Sequence, residues 1–324
     1  MTNALTTLPE PIPEKLIAAV AAQSTRSVSP DFPILVEALL KRYGTAADGI
    51  ILYGSCLRTG DLDEGIVDLY VLVDDYKNAY THRYLSLLNA WLAPNVFYLE
   101  VSHQDRTLRA KYAVISTTDF EKGTQYWFHS YIWARFAQPS RLLYARDEKN
   151  RQRIFNALAQ SVITFLASGG KTLENNAFTV ADIWTRCLML SYAAELRAEQ
   201  ETRARHLATL NLHDFTQLTK AAYPMLTEVF NYQPESDTYL CQNTAATRRR
   251  ALRHWRLRRW QGRILSVLRL SKATLTFSDC LEYAAWKIER HTGVSVEITP
   301  MLRRHPVIWG FKVMWQLLRR GIIR

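Results

Sequence analysis

The chain has 324 residues, 48% of them hydrophobic and 22% charged, with 41 Lys and Arg against 30 Asp and Glu and a formal net charge of +11. That length allows two domains and a sizeable core, and that composition excludes a disordered or fibrous chain. The excess of cations favours an anionic partner: nucleic acid, a nucleotide or an acidic membrane face.

Four scattered cysteines, Cys56, Cys187, Cys241 and Cys280, form no CxxC and accompany no histidine pair at ligand spacing, so a zinc site is not expected and a reducing compartment is the default. No run reaches the roughly 18 apolar residues that span a bilayer. The start, "MTNALTTLPEPIPEKL", reads as neither a signal nor a transit peptide. A cytoplasmic, bacterial protein is expected.

In chain order, 14–42 reads as two helices, the second closed by Gly44. "GIILY" (49–53) is a short strand, followed by "GSCLRTG", the acidic loop "DLDEG" and a second strand, "IVDLYVLV" (66–73). Residues 76–92 have helical spacing. "NVFYLEV" (95–101) and "AKYAVIS" (110–116) are further strands, and a helix is predicted from there to Phe136, stopping before Pro139. From 148 to about 230 the pattern is almost entirely helical, and the polar stretch 231–247 is the best linker candidate. Eight arginines and two tryptophans crowd between Thr247 and Arg263, and 301–324 repeats that mixture.

Asp68 interrupts an otherwise apolar strand. A lone carboxylate there costs several kcal/mol without a partner. Gly-Ser after a strand, a spacer, then Asp in the next strand resembles the nucleotidyltransferase superfamily. In that pattern Gly54 lets the backbone approach a triphosphate, Ser55 bonds a phosphate oxygen, and carboxylates hold Mg²⁺ against the same phosphates. The superfamily's D-x-D has Ile66 at its first position here, with Asp68 at the second. Asp61, Asp63, Glu64, Asp74 and Asp75 are further ligand candidates, and Glu100 in "FYLEV" fits a third acid on an adjacent strand.

The block 111–139 carries Lys111, Tyr112, Val114, Trp127, Tyr131, Arg135 and Pro139 at a spacing similar to that of the mitochondrial-type phosphatidate cytidylyltransferases, the translocator assembly and maintenance family. "YGSC" (53–56) and "VDLYVLVDD" (67–75) resemble the same family, which also lacks a full D-x-D. Cys56 departs from its glycine. The resemblance implies CTP + phosphatidic acid → CDP-diacylglycerol + pyrophosphate, with Mg²⁺. It implies catalytic roles for Asp68 and Lys111, nucleotide contacts from Tyr53, Gly54, Ser55 and Arg135, and metal ligation by Asp68 and Glu100. Taken without that block, Lys111 and Arg135 also read as ordinary surface cations.

The expected fold is an α/β (α+β) nucleotidyltransferase domain over 1–145, a helical domain over 146–240 with a winged-helix arrangement among its options, and a basic amphipathic region over 241–324. Trp and Arg together suit the interface of an anionic membrane, so a peripheral place on the inner face of the cell membrane is expected. A solvated structural helix is the second reading of that region, and nucleic acid the third. Two alternatives to lipid cytidylylation stay open: transfer to a soluble acceptor such as an antibiotic, a protein or RNA, and an inactive membrane-bound scaffold. The sequence leaves the oligomeric state open.

Overall fold

The computed structural model describes residues 11–59, 66–104, 106–195 and 201–276. Five strands form a mixed sheet: β1 (Ala47–Tyr53), β2 (Val67–Val73), β3 (Asn95–His103), β4 (Arg106–Ser116) and β5 (Arg141–Ala145), in the order β3-β4-β2-β1-β5. Only β2 and β4 run parallel; the other three pairings are antiparallel.

The helices before and within this sheet are α1 (Glu14–Ser24), α2 (Phe32–Tyr43), α3 (Cys56–Thr59), α4 (Tyr76–Ala79), α5 (Arg83–Trp91), α6 (Thr117–Gln125) and α7 (Trp133–Phe136). The helical half follows with α8 (Glu148–Gly170), α9 (Val180–Ala194), α10 (Glu201–Leu210), α11 (Leu212–Ala222) and α12 (Ala245–Thr276). A small antiparallel sheet, β6 (Ala177–Phe178), β7 (Phe230–Gln233) and β8 (Thr238–Cys241), sits among them.

The apolar runs of β1 and β2 are explained by burial on both faces. Ile51, Tyr70, Leu72, Ala113 and Ile115 face a core shared with α1 and α6–α9. Ile50, Leu52, Leu69, Val71 and Val114 alternate with them and face a second core under α2. The first core continues without a break across residue 145 into the helices. α8 starts where Asp147 accepts from the Asn150 amide, and α9 starts on a capping box of Thr179 and Asp182. The two helices pack closely at Gly169, where a Cβ would lie 2.1 Å from Cys187 Sγ.

Three expectations are corrected. The 231–247 stretch is not a linker: it is the β7–β8 hairpin as far as Cys241, with Phe230, Tyr239 and Cys241 buried, and from Ala245 the start of α12. The helix expected to run to Phe136 is two pieces, α6 and α7, and the one expected over 76–92 is α4 and α5. β5 was not anticipated.

α12 has 32 residues, a length of about 48 Å. Its inner face is structural. Trp255 is buried and its indole donates to the Ser168 carbonyl, and a Cβ on Gly262 would lie 2.0 Å from the Ala194 carbonyl oxygen. Arg269 donates to the Ala93 carbonyl, and the Lys272 ammonium donates to the carbonyls of Leu88, Leu92 and Pro94. The tryptophan- and arginine-rich stretch 301–324 lies outside the described residues. No helix among those described is long and apolar enough to cross a membrane.

Candidate functional site

One row of residues crosses the sheet. Tyr53 on β1 pairs with Asp68 on β2, Asp68 pairs with Lys111 on β4, and Lys111 pairs with Tyr98 on β3. Paired residues share a face, so Tyr53 at the end of β1, Asp68 near the start of β2 and Lys111 midway along β4 stand side by side. The Lys111 ammonium lies 3.0 Å from Asp68 Oδ1. That ion pair is the partner that an acid in this strand needs.

The chain turns sharply after β1. Gly54 has φ +91°, and a Cβ there would lie 2.7 Å from Asp68 Oδ2. Glycine is required both by that conformation and by the approach of the backbone to the carboxylate. Ser55 follows, exposed, at the start of α3.

Tyr53, Gly54, Ser55, Asp68, Lys111 and Arg135 all line one cavity of about 520 Å³. That is within the range of small-molecule sites. Its opposite wall is helical: Gln138, Tyr192, Glu195, Arg203, Asn211 and Phe215. Sequence reasoning missed all six, which come from the α7–β5 link, the end of α9 and α10–α11.

Arg135 joins the two walls. Its guanidinium donates to the Tyr70 hydroxyl at 3.0 Å, lies 3.5 Å from Glu195 Oε2, and stacks over the Tyr131 ring at 4.2 Å and the Tyr53 ring at 5.3 Å. Burial works against its charge, but the surrounding phenols and Glu195 outweigh that and hold its pKa above the usual arginine value. Arg269 of α12 also lies over the Tyr131 ring, at 3.9 Å. Burial alone would raise the Tyr131 phenol, yet Arg135 and Arg269 together bring it down to about 8. Burial and then the Asp68 carboxylate push the Tyr53 phenol up. Gln138 is fixed at both ends, donating to the Ala134 carbonyl and accepting from the Tyr192 hydroxyl.

Glu100 does not join Asp68. β3 borders β4 and not β2, so a whole strand separates the two, about 10 Å across the sheet. Glu100 also stands two paired positions further along, opposite Arg109, where it accepts from the Arg109 guanidinium at 3.1 Å and the Tyr98 hydroxyl at 2.6 Å. Ile66 lies just before β2, whose first paired residue is Val67, opposite Ala110. Asp61, Asp63 and Glu64 lie outside the described residues. Among the described residues no three His, Cys, Asp or Glu side chains cluster as a complete metal cage.

A Mg²⁺ ion nevertheless fits the donors present. It needs one or two carboxylates and takes its remaining ligands from substrate phosphates and water. Asp68 supplies one carboxylate at the cavity wall, beside the Gly54–Ser55 turn.

No family model matches the sequence, and no curated protein is significantly similar to it.

Proposed function

We propose that the chain is a nucleotidyltransferase that moves CMP from CTP to phosphatidic acid, releasing pyrophosphate and forming CDP-diacylglycerol. The observation that carries this reading is the row Tyr53–Asp68–Lys111 set against the Gly54–Ser55 turn, with Arg135 opposite in the same cavity. An acid, a glycine turn and two cations lining one cavity suit transfer at a triphosphate. The choice of CTP and of a lipid phosphate rests on the family resemblance of 111–139.

In this reading the triphosphate lies along the Gly54–Ser55 turn, beside the Asp68 carboxylate that the glycine allows to approach, and the Ser55 hydroxyl donates to a phosphate oxygen. Lys111 offsets charge at the α-phosphate, and Arg135, held rigidly by Tyr70 and Tyr131, anchors an acceptor or leaving phosphate. Asp68 would hold Mg²⁺, which neutralises the charge that develops on the leaving pyrophosphate. The acceptor is already an anion. Its oxygen attacks the α-phosphorus as the bond to the β-phosphate oxygen breaks, and no strong general base is required. Positioning and charge neutralisation are the protein's share of the work.

A second reading, an inactive scaffold, is favoured by one observation: the Lys111 ammonium occupies the Asp68 carboxylate on which the metal would sit. Turnover by the purified chain decides between them.

The acceptor's lipid nature places the enzyme at an anionic membrane surface. The test of the reaction is nucleotide- and lipid-dependent pyrophosphate release, and a soluble acceptor would show itself as turnover without lipid.

A further inference from the structure

A second basic site lies away from the cavity. Where the end of α8 meets the first half of α12, Lys171, Arg250, His254 and Arg258 line a cleft of about 330 Å³ with no carboxylate in its walls. It shares no residue with the nucleotide cavity. Arg258 is its fixed member. Its Nε donates to the Phe128 carbonyl at 2.8 Å, and its guanidinium stacks over Phe128 at 4.7 Å and Trp255 at 5.0 Å. Arg250 and His254 also border the neighbouring groove with Arg249, Arg253 and Leu257, so the basic belt continues along the outer face of the helix.

The next turns of that face are apolar and exposed. Leu257, Trp260, Ile264 and Val267 are 56%, 68%, 40% and 41% accessible. Spacings of three and four put them in one stripe. Exposed Arg256, Arg259 and Arg263 border it. A helix that was merely solvated would have no use for a tryptophan and three aliphatic side chains in a row. The chain's own residues 277–324 are a poor cover for a basic belt, since they carry eight Lys and Arg against four Asp and Glu. An anionic partner complements it. Aliphatic side chains do not stack on bases, so the stripe fits acyl chains better than RNA.

We propose that the Lys171–Arg250–His254–Arg258 cleft holds the phosphate of an anionic phospholipid while the Leu257–Trp260–Ile264 stripe enters the headgroup boundary, seating α12 on an anionic bilayer. The proposal takes from the function above only the lipid nature of the surface.

The test uses the full chain with vesicles of phosphatidylcholine alone, the same vesicles with added phosphatidylglycerol, and a single-stranded RNA oligomer. Sedimentation should show binding only to the anionic vesicles. Lys171→Gln with Arg250→Gln should weaken it about 25-fold, at about fivefold for each cation. CTP affinity at the cavity should be unchanged in that variant. Trp260→Phe should remove most of the blue shift in tryptophan emission that accompanies binding. Equal binding to neutral vesicles, wild-type affinity in the double variant, or capture of RNA in place of vesicles would overturn the proposal. A chain that docks as described but binds no nucleotide would sink the transferase reading alone.

Discussion

The Lys111 ammonium sits 3.0 Å from Asp68 Oδ1, on directly paired positions of the one parallel pair of strands in the main sheet. Both side chains are partly exposed to the cavity, so the pair adds little to stability, about 0–1 kcal/mol. Its value lies in holding an acid and a cation at the same point. Asp68→Asn is therefore expected to leave the melting temperature within a few degrees of wild type while turnover falls at least about 100-fold, the scale of losing one principal charge-stabilising group. Steady-state kinetics beside thermal unfolding checks this. Near-normal turnover would remove Asp68 from the chemistry.

Gly54→Ala tests the turn independently of charge. The new Cβ would meet Asp68 Oδ2 at 2.7 Å on a backbone with φ +91°. The left-handed conformation alone costs about 1–2 kcal/mol for a residue with a side chain. The carboxylate must also move away. Turnover should fall about 100-fold or more with only a modest loss of stability, read from kcat and from the unfolding midpoint on the same preparation.

Glu100→Gln should do little. The side chain bonds Arg109 and Tyr98 one strand away from Lys111's neighbour Asp68, and it does not line the cavity. Turnover within about twofold of wild type, and an unchanged Mg²⁺ dependence, are expected. A large shift in the Mg²⁺ concentration needed for half-maximal rate would return Glu100 to the metal site.

The seat of α12 on the sheet should depend on pH. Burial, and then the Arg269 charge, bring the Lys272 ammonium down to about 7. Unfolded, it keeps its proton to about 10.4. Between those values the unfolded chain binds more protons, so stability rises with pH. Below pH 7 both states are protonated and the cost of burying the charge is felt in full. Tyr131, brought down to about 8, acts in the same direction. The melting temperature should climb from pH 7 to pH 9 in the wild type and climb less in Lys272→Met. Identical slopes would remove Lys272 as the cause.

Much of the sheet side of the cavity was legible because its signals are local. Gly54 and Ser55 follow a strand directly, and Asp68 stands out within "VDLYVLV" because every neighbour is apolar. Lys111 and Arg135 were found through the spacing of a known family's block, and their own surroundings gave no sign of them. Strand order was not legible. The pairing of β2 with β4 and not β3 is a tertiary fact, and together with the offset along β3 it removes Glu100 from Asp68. The helical wall was hidden for the same reason: Glu195, Arg203 and Asn211 are ordinary polar residues of helices until α9–α11 fold over the sheet. The β7–β8 hairpin was hidden by its size, since two four-residue strands around a polar turn carry too few residues to show alternation.

The most direct test of the central claim is pyrophosphate release by the purified chain with Mg²⁺, phosphatidic acid in mixed micelles, and CTP, ATP, GTP or UTP in parallel. The account predicts release with CTP that depends on the lipid and is abolished in Asp68→Asn. No release with any nucleotide, from protein that still unfolds cooperatively, would contradict it and leave the Asp68–Lys111 pair as the closed site of an inactive scaffold.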